Sequence, residues 1–176
     1  YKRSEDLVDV LDVIFTRRSI RKFTGEPINE DDLRAILKAG FQAPSAHDFQ
    51  PRDFVVVRDK ETIEKIAQFH KYGKMLPKAG CAIIVCGDKE KQPERGFLVE
   101  DCSASIQNIL LAAHGLGLGA VWCGLYSVTD FTEPMSKVLG LPENIIPIGM
   151  AVLGVKDGEE EPIDRYDESK VHFDKW

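Results

Sequence analysis

Apolar residues recur along this chain in two rhythms, one of helical period and one of short unbroken runs. Leu7, Val10, Leu11 and Ile14 fall at helical spacing and predict a first helix over residues 4–16. Gly25 and Pro27 mark a turn. Asn29 then reads as the N-cap of a second helix whose face carries Leu33, Ile36 and Leu37 and which ends near Gly40. Residues 43–51 hold Pro44, Pro51 and short polar residues, which forbid regular structure and predict a loop. Phe54, Val55, Val56 and Val57 form a short β-branched run, hence a buried strand. Asp59 caps a third helix containing Ile63 and Ile66, and a basic linker over residues 71–74 leads to a second buried strand at 82–86, ended by Gly87.

The longest periodic segment covers residues 97–114. Leu98, Cys102, Ile106, Ile109, Leu110 and Ala113 make one face and Leu111 and Ala112 widen it, so this helix belongs in a core or at a subunit interface. Gly115, Gly117 and Gly119 stop it. A strand at 120–123, a short helix at 133–139 and a last strand at 145–153 follow. Pro147 cannot donate to a sheet ladder, so it predicts an edge strand or a strand start. Helices and strands mix without strict β-α-β alternation, which gives an α+β layer fold. With 176 residues the chain is expected to form one domain, residues 1–176, with residues 155–176 as an extended arm. That arm ends on Val171, Phe173 and Trp176, large apolar side chains that either dock on a surface or fray.

The formal net charge of −6 argues against a nucleic-acid partner recruited by bulk charge, and no apolar run is long enough to span a bilayer. Cys81, Cys86, Cys102 and Cys123 lie in apolar neighbourhoods without C-x-x-C spacing and read as buried free thiols of a reducing, cytoplasmic compartment. The start has no signal-peptide shape, although the chain does not begin with Met and preceding segments stay open. His47, His70, His114 and His172 are scattered and do not point to a metal. Gly115, Gly117 and Gly119 with Ala120 imitate a dinucleotide fingerprint, but a helix precedes them and a strand follows. That is the reverse of what pyrophosphate binding at a helix N-terminus needs, and the glycines read as a helix C-cap and turn.

The chemistry-bearing segment is Arg17-Arg18-Ser19-Ile20-Arg21, three guanidinium groups and a hydroxyl within five positions. Such a set suits a compact anion such as a phosphate monoester, and equally a solvated basic turn. Together with Ala43-Pro44-Ser45-Ala46-His47-Asp48-Phe49-Gln50-Pro51, Glu100-Asp101-Cys102-Ser103-Ala104, Leu116-Gly117-Leu118-Gly119 and a late Arg165 before a terminal Trp, the ordered set resembles the FMN-dependent nitroreductase family.

That resemblance implies a homodimer, a mixed sheet flanked by helices, an arm reaching over the partner, and two flavin sites at the interface. It implies that Arg17, Arg18, Ser19 and Arg21 contact the flavin phosphate, ribityl chain and pyrimidine edge. By the same likeness Pro44, Ser45 and Ala46 come from the other subunit, Cys123 and Gly124 form the turn facing flavin N5, Arg165 holds phosphate, and Lys74 lies near the pyrimidine edge. Ala46, Asp48 and Arg52 depart from the family pattern, where many members carry Ser, Asn and Trp, and Asp48 is electrostatically awkward beside a reduced, anionic flavin.

The implied activity is ping-pong hydride transfer from NADH or NADPH to a small-molecule electron acceptor, a nitroaromatic or quinone. Reductive dehalogenation, flavin reduction, a flavin binder without turnover and a flavin-free phosphate-binding module remain as alternatives. No residue is assigned as a general acid. Cys123 and Trp122 read as packing residues, and Phe49 either covers a substrate or pins its loop.

Overall fold

The computed structural model describes residues 9–126 and 131–176. Elements run in the order α1 (Val10–Thr16), α2 (Glu30–Phe41), β1 (Arg52–Val57), α3 (Lys60–Phe69), β2 (Cys81–Asp88), α4 (Arg95–Gly115), β3 (Gly119–Gly124), α5 (Thr132–Leu139) and β4 (Ile145–Gly154). The start of the predicted first helix falls on residues 1–8, outside the described part; its remainder is α1. The two predicted caps form as drawn from sequence, with the Asn29 side chain accepting the Asp32 N–H at 2.8 Å and Asp59 accepting that of Thr62 at 2.8 Å.

The strands pair in the order β1-β2-β4-β3, and every pairing is antiparallel. The sheet within one chain is therefore antiparallel rather than mixed, because each connection returns the chain on the opposite heading to its neighbour. Alternate side chains of the two inner strands feed two cores. Ile83, Val85, Ala151 and Leu153 pack under α2 and α4, while Ala82, Ile84, Met150 and Val152 pack under α3 and α5. All four cysteines are buried and unbridged, as expected.

β4 is an inner strand, so the edge alternative for Pro147 is overturned. Pro147 is the third residue of β4 and pairs with Cys86 where the register shifts between Val85 and Cys86. A bulge there absorbs the missing N–H. The glycines after α4 behave as a helix stop: Gly117 has φ +79° and its N–H donates to His114 O at 2.9 Å, while the Leu118 N–H donates to Ala113 O at 2.9 Å. With α4 before and β3 after, no dinucleotide fold is present at this point.

Helix α1 and the tail both leave large apolar side chains uncovered. α1 buries none of its residues, and Val10 (69 %) and Phe15 (66 %) are mostly exposed. In the tail Phe173 and Trp176 are 85 % and 100 % exposed. The segment after β4 first runs back along its own chain, through the Phe23–Lys156 bridge and a bond from the Asp157 N–H to Lys22 O at 3.0 Å.

Candidate functional site

The run after α1 is held extended by its backbone, the Ile20 N–H donating to Ala120 O on β3 at 2.9 Å. This lays Arg17, Arg18, Ser19 and Arg21 along the β3 edge of the sheet. The returning tail brings Arg165 to the same place. Burial first, then the like charges of Arg165 and Arg18, hold Arg17 below the ordinary arginine value. Arg18 donates to the backbone carbonyl of Glu161. Among the described residues none of these arginines forms an ion pair with a carboxylate. Three mutually repelling guanidinium groups without a carboxylate are a fitting cradle for a phosphate dianion.

Beside them opens a cleft of ≈ 830 Å3, lined by Arg21, Lys22, Lys71, Tyr72, Lys74 and Lys78 among others. Its size is that of a site for a drug-sized or cofactor-sized ligand. Cys123 lies close enough to Arg21 to feel its charge, yet burial dominates and pushes the thiol up to about 11. Its Sγ lies 3.9 Å from Tyr72 O, and Gly124 is the exposed last residue of β3. Arg21, Lys74, Cys123 and Gly124 are thus brought to one side of the molecule, with Arg17, Arg18, Ser19 and Arg165 next to them.

Pro44, Ser45 and Ala46 are elsewhere. Their loop runs into β1, the opposite edge strand, and is tied to α4: the Ala46 N–H donates to Asp101 Oδ1 at 2.8 Å. Arg52, only 3 % exposed, draws the loop around its guanidinium, donating to Phe41 O at 2.9 Å, to Pro44 O at 3.3 Å, and to Ala43 O and Gln50 Oε1. His47, Asp48 and Gln50 all have positive φ, at 54°, 56° and 49°. Such backbone costs of order 1 kcal/mol per residue outside glycine and persists only where neighbours impose it. Asp48 accepts from the Gln50 amide, which answers part of its awkward charge. Phe49 is 46 % exposed and its ring lies 5.2 Å from that of His47.

β1 and β3 are separated by β2 and β4, three inter-strand spacings or roughly 14 Å. One chain therefore carries the expected site residues in two groups, on opposite edges of its sheet.

The Nitroreductase family pattern matches residues 14–71 and 69–155. This chain belongs to the nitroreductase family. A protein of Methanothermobacter thermautotrophicus, provisionally named NADH dehydrogenase/NAD(P)H nitroreductase, is 44 % identical over 169 residues, covering 96 % of this chain and 88 % of the relative. The NADPH-flavin oxidoreductase of Vibrio harveyi is 30 % identical over 165 residues, covering 87 % and 68 %. Among solved structures, an FMN-dependent nitroreductase of Clostridium difficile superposes with a TM-score of 0.87 at 30 % identity, covering 94 % of this chain and 99 % of that one.

Three side chains have roles that the local sequence does not announce. Arg52, a departure from the family pattern, organises the 43–51 loop. The buried carboxylate of Asp101 anchors Ala46. His70 read as one of four scattered histidines, yet it is fully buried with Nε2 3.1 Å from Gly124 O. Little in the local sequence marks these residues, since the carbonyls that Arg52 collects lie 8 to 11 positions away and the partners of Asp101 and His70 lie 55 and 54 positions away.

Proposed function

We propose that this nitroreductase-family chain is an FMN-dependent NAD(P)H oxidoreductase acting as a cytoplasmic homodimer on nitroaromatic, quinone or similar electron-poor acceptors. FMN, when bound, supplies the hydride-accepting and hydride-donating chemistry. Arg17, Arg18 and Arg165 hold its phosphate, with Ser19 as a hydroxyl donor beside them. Arg21 and Lys74 present fixed positive charge to the ring edge where negative charge collects on reduction, favouring the reduced form. The exposed, side-chain-free Gly124 lets main chain approach closely, and Cys123 packs beneath it without redox work. Pro44, Ser45 and Ala46 reach the flavin of the opposite protomer, so residues 1–176 act as one domain in each half of a two-fold pair. The apolar faces of α1 and of the arm, residues 155–176, cover the partner.

The observation that carries this reading is the convergence of Arg17, Arg18 and Arg165, unpaired with any described carboxylate, beside a cleft walled by Arg21 and Lys74. A single accessible ring face would serve donor and acceptor in turn, which gives ping-pong kinetics. The test is the visible spectrum of the purified protein, before and after anaerobic addition of NADH and of NADPH. A yellow protein bleached by at least one nicotinamide and reoxidised by a quinone is expected. A colourless protein that takes up no FMN overturns the proposal.

A further inference from the structure

The turn after α3, carrying Tyr72 and Lys74, walls the cleft, and the end of the edge strand β3, carrying Cys123 and Gly124, meets that turn from outside the lining. The His70 side chain joins them. His70 is the C-cap of α3, and its main chain is fixed on both sides, its N–H donating to Ile66 O at 2.9 Å and its carbonyl accepting from the Gly73 N–H at 2.7 Å. Its imidazole crosses to β3, with Nε2 3.1 Å from Gly124 O. A carbonyl only accepts, so Nε2 carries the proton and donates. The ring lies 4.2 Å, centroid to centroid, from that of Phe131, and the residue is fully buried. A second link between turn and strand is the long Cys123 Sγ contact to Tyr72 O at 3.9 Å. Just beyond Gly124 the Leu125 carbonyl accepts from Thr132 Oγ1 at 3.1 Å, so the His70 bond is the one that fixes the Gly124 carbonyl itself to the α3 turn.

We infer that His70 is a positioning residue of the flavin site: its Nε2–H staples the Gly124 carbonyl to the α3 turn and so sets the distance between the Cys123-Gly124 end of β3 and the Tyr72-Lys74 wall of the cleft. This rests on the flavin reading of the cleft. The ring alone does not suffice, because the bond must hold a specific carbonyl in a specific direction. Loss of one buried hydrogen bond of this kind changes an equilibrium by about tenfold.

The experiment uses the full-length protein with FMN. His70→Phe keeps an aromatic ring against Phe131 but has no donor, and His70→Gln restores an N–H of similar reach. For each, FMN affinity is titrated and the rate of flavin reduction by NAD(P)H is measured per bound flavin in a single anaerobic turnover, a readout that simple loss of folded protein does not move. Expected are an FMN Kd about tenfold weaker and a per-flavin rate several-fold slower in His70→Phe, both recovered to within about threefold in His70→Gln. Wild-type affinity and rate in His70→Phe, or equal impairment of both variants, overturns the inference while leaving the flavin reading intact. Failure of the wild type to bind FMN instead overturns the flavin reading. Independently of any variant, 15N NMR of the wild-type imidazole is expected to show the neutral tautomer protonated on Nε2, and a proton on Nδ1 overturns the staple.

Discussion

At the scale of single residues the site is a contest between charge and burial. Arg21 is close enough to the end of β3 for its charge to be felt by the buried Cys123. Arg21→Ala is expected to lower the FMN midpoint potential by about 30 mV or more, as read by redox potentiometry, with little change in the unfolding midpoint. The thiols show the opposite outcome. Burial pushes Cys81, Cys86 and Cys102 up to about 12, so no thiolate forms near neutral pH. A thiol reagent is expected to leave all four cysteines unmodified until denaturant is added, and Cys123→Ser to retain turnover. His70 is held below its ordinary value of 6.5 by burial, so the fold favours the neutral ring. Its contribution to stability is complete above the unfolded value and is lost as pH falls through the folded one. The unfolding midpoint of wild type should therefore drop on acidification below about pH 6.5 more steeply than that of His70→Phe. From sequence the free-thiol assignment was legible because apolar flanks betray burial. His70 was not, because its acceptor lies 54 positions away.

At the scale of elements, whatever is decided within one turn could be read directly. Asn29 and Asp59 cap their helices by contacts three residues away. The glycine stop after α4 is equally local. Pro147 was half legible: the missing N–H demands a special position, but whether that is an edge or a bulge depends on strand order, which is non-local. Arg52 shows the same divide, since nothing in Gln50-Pro51-Arg52 announces that the guanidinium turns back to collect the carbonyls of Phe41, Ala43 and Pro44. Arg52→Met removes those donors from the ends of the loop that carries the left-handed backbone of His47 and Asp48. FMN affinity is expected to fall at least tenfold, measured by fluorescence titration, while the far-UV spectrum stays native. Close packing across the inner sheet gives a second check. A Cβ on Gly149 would sit 2.6 Å from Ile106 Cδ1 and 2.8 Å from Trp122 Nε1. Gly149→Ala should destabilise the fold by roughly 1–3 kcal/mol in denaturant melts.

At the scale of the whole molecule, the chain leaves apolar area where a second copy would cover it. α1 presents Val10, Leu11, Ile14 and Phe15 to solvent, and burying one such side chain is worth roughly 1.5–3 kcal/mol. Phe15→Asp is expected to shift the protein toward monomer in sedimentation and to lose FMN with it. The sheet order extends this argument. Because the Arg21 cluster and the Arg52 loop sit on opposite edges of one sheet, two defects can be carried by different copies. In the proposed dimer, a protomer crippled in its guanidinium cluster would still lend a sound loop, and one crippled in its loop would still lend sound guanidiniums. Mixing two such inactive variants, unfolded and renatured together, should regenerate about a quarter of the wild-type centres. Half of the random pairs are hybrids, and each hybrid reunites one intact pair of halves.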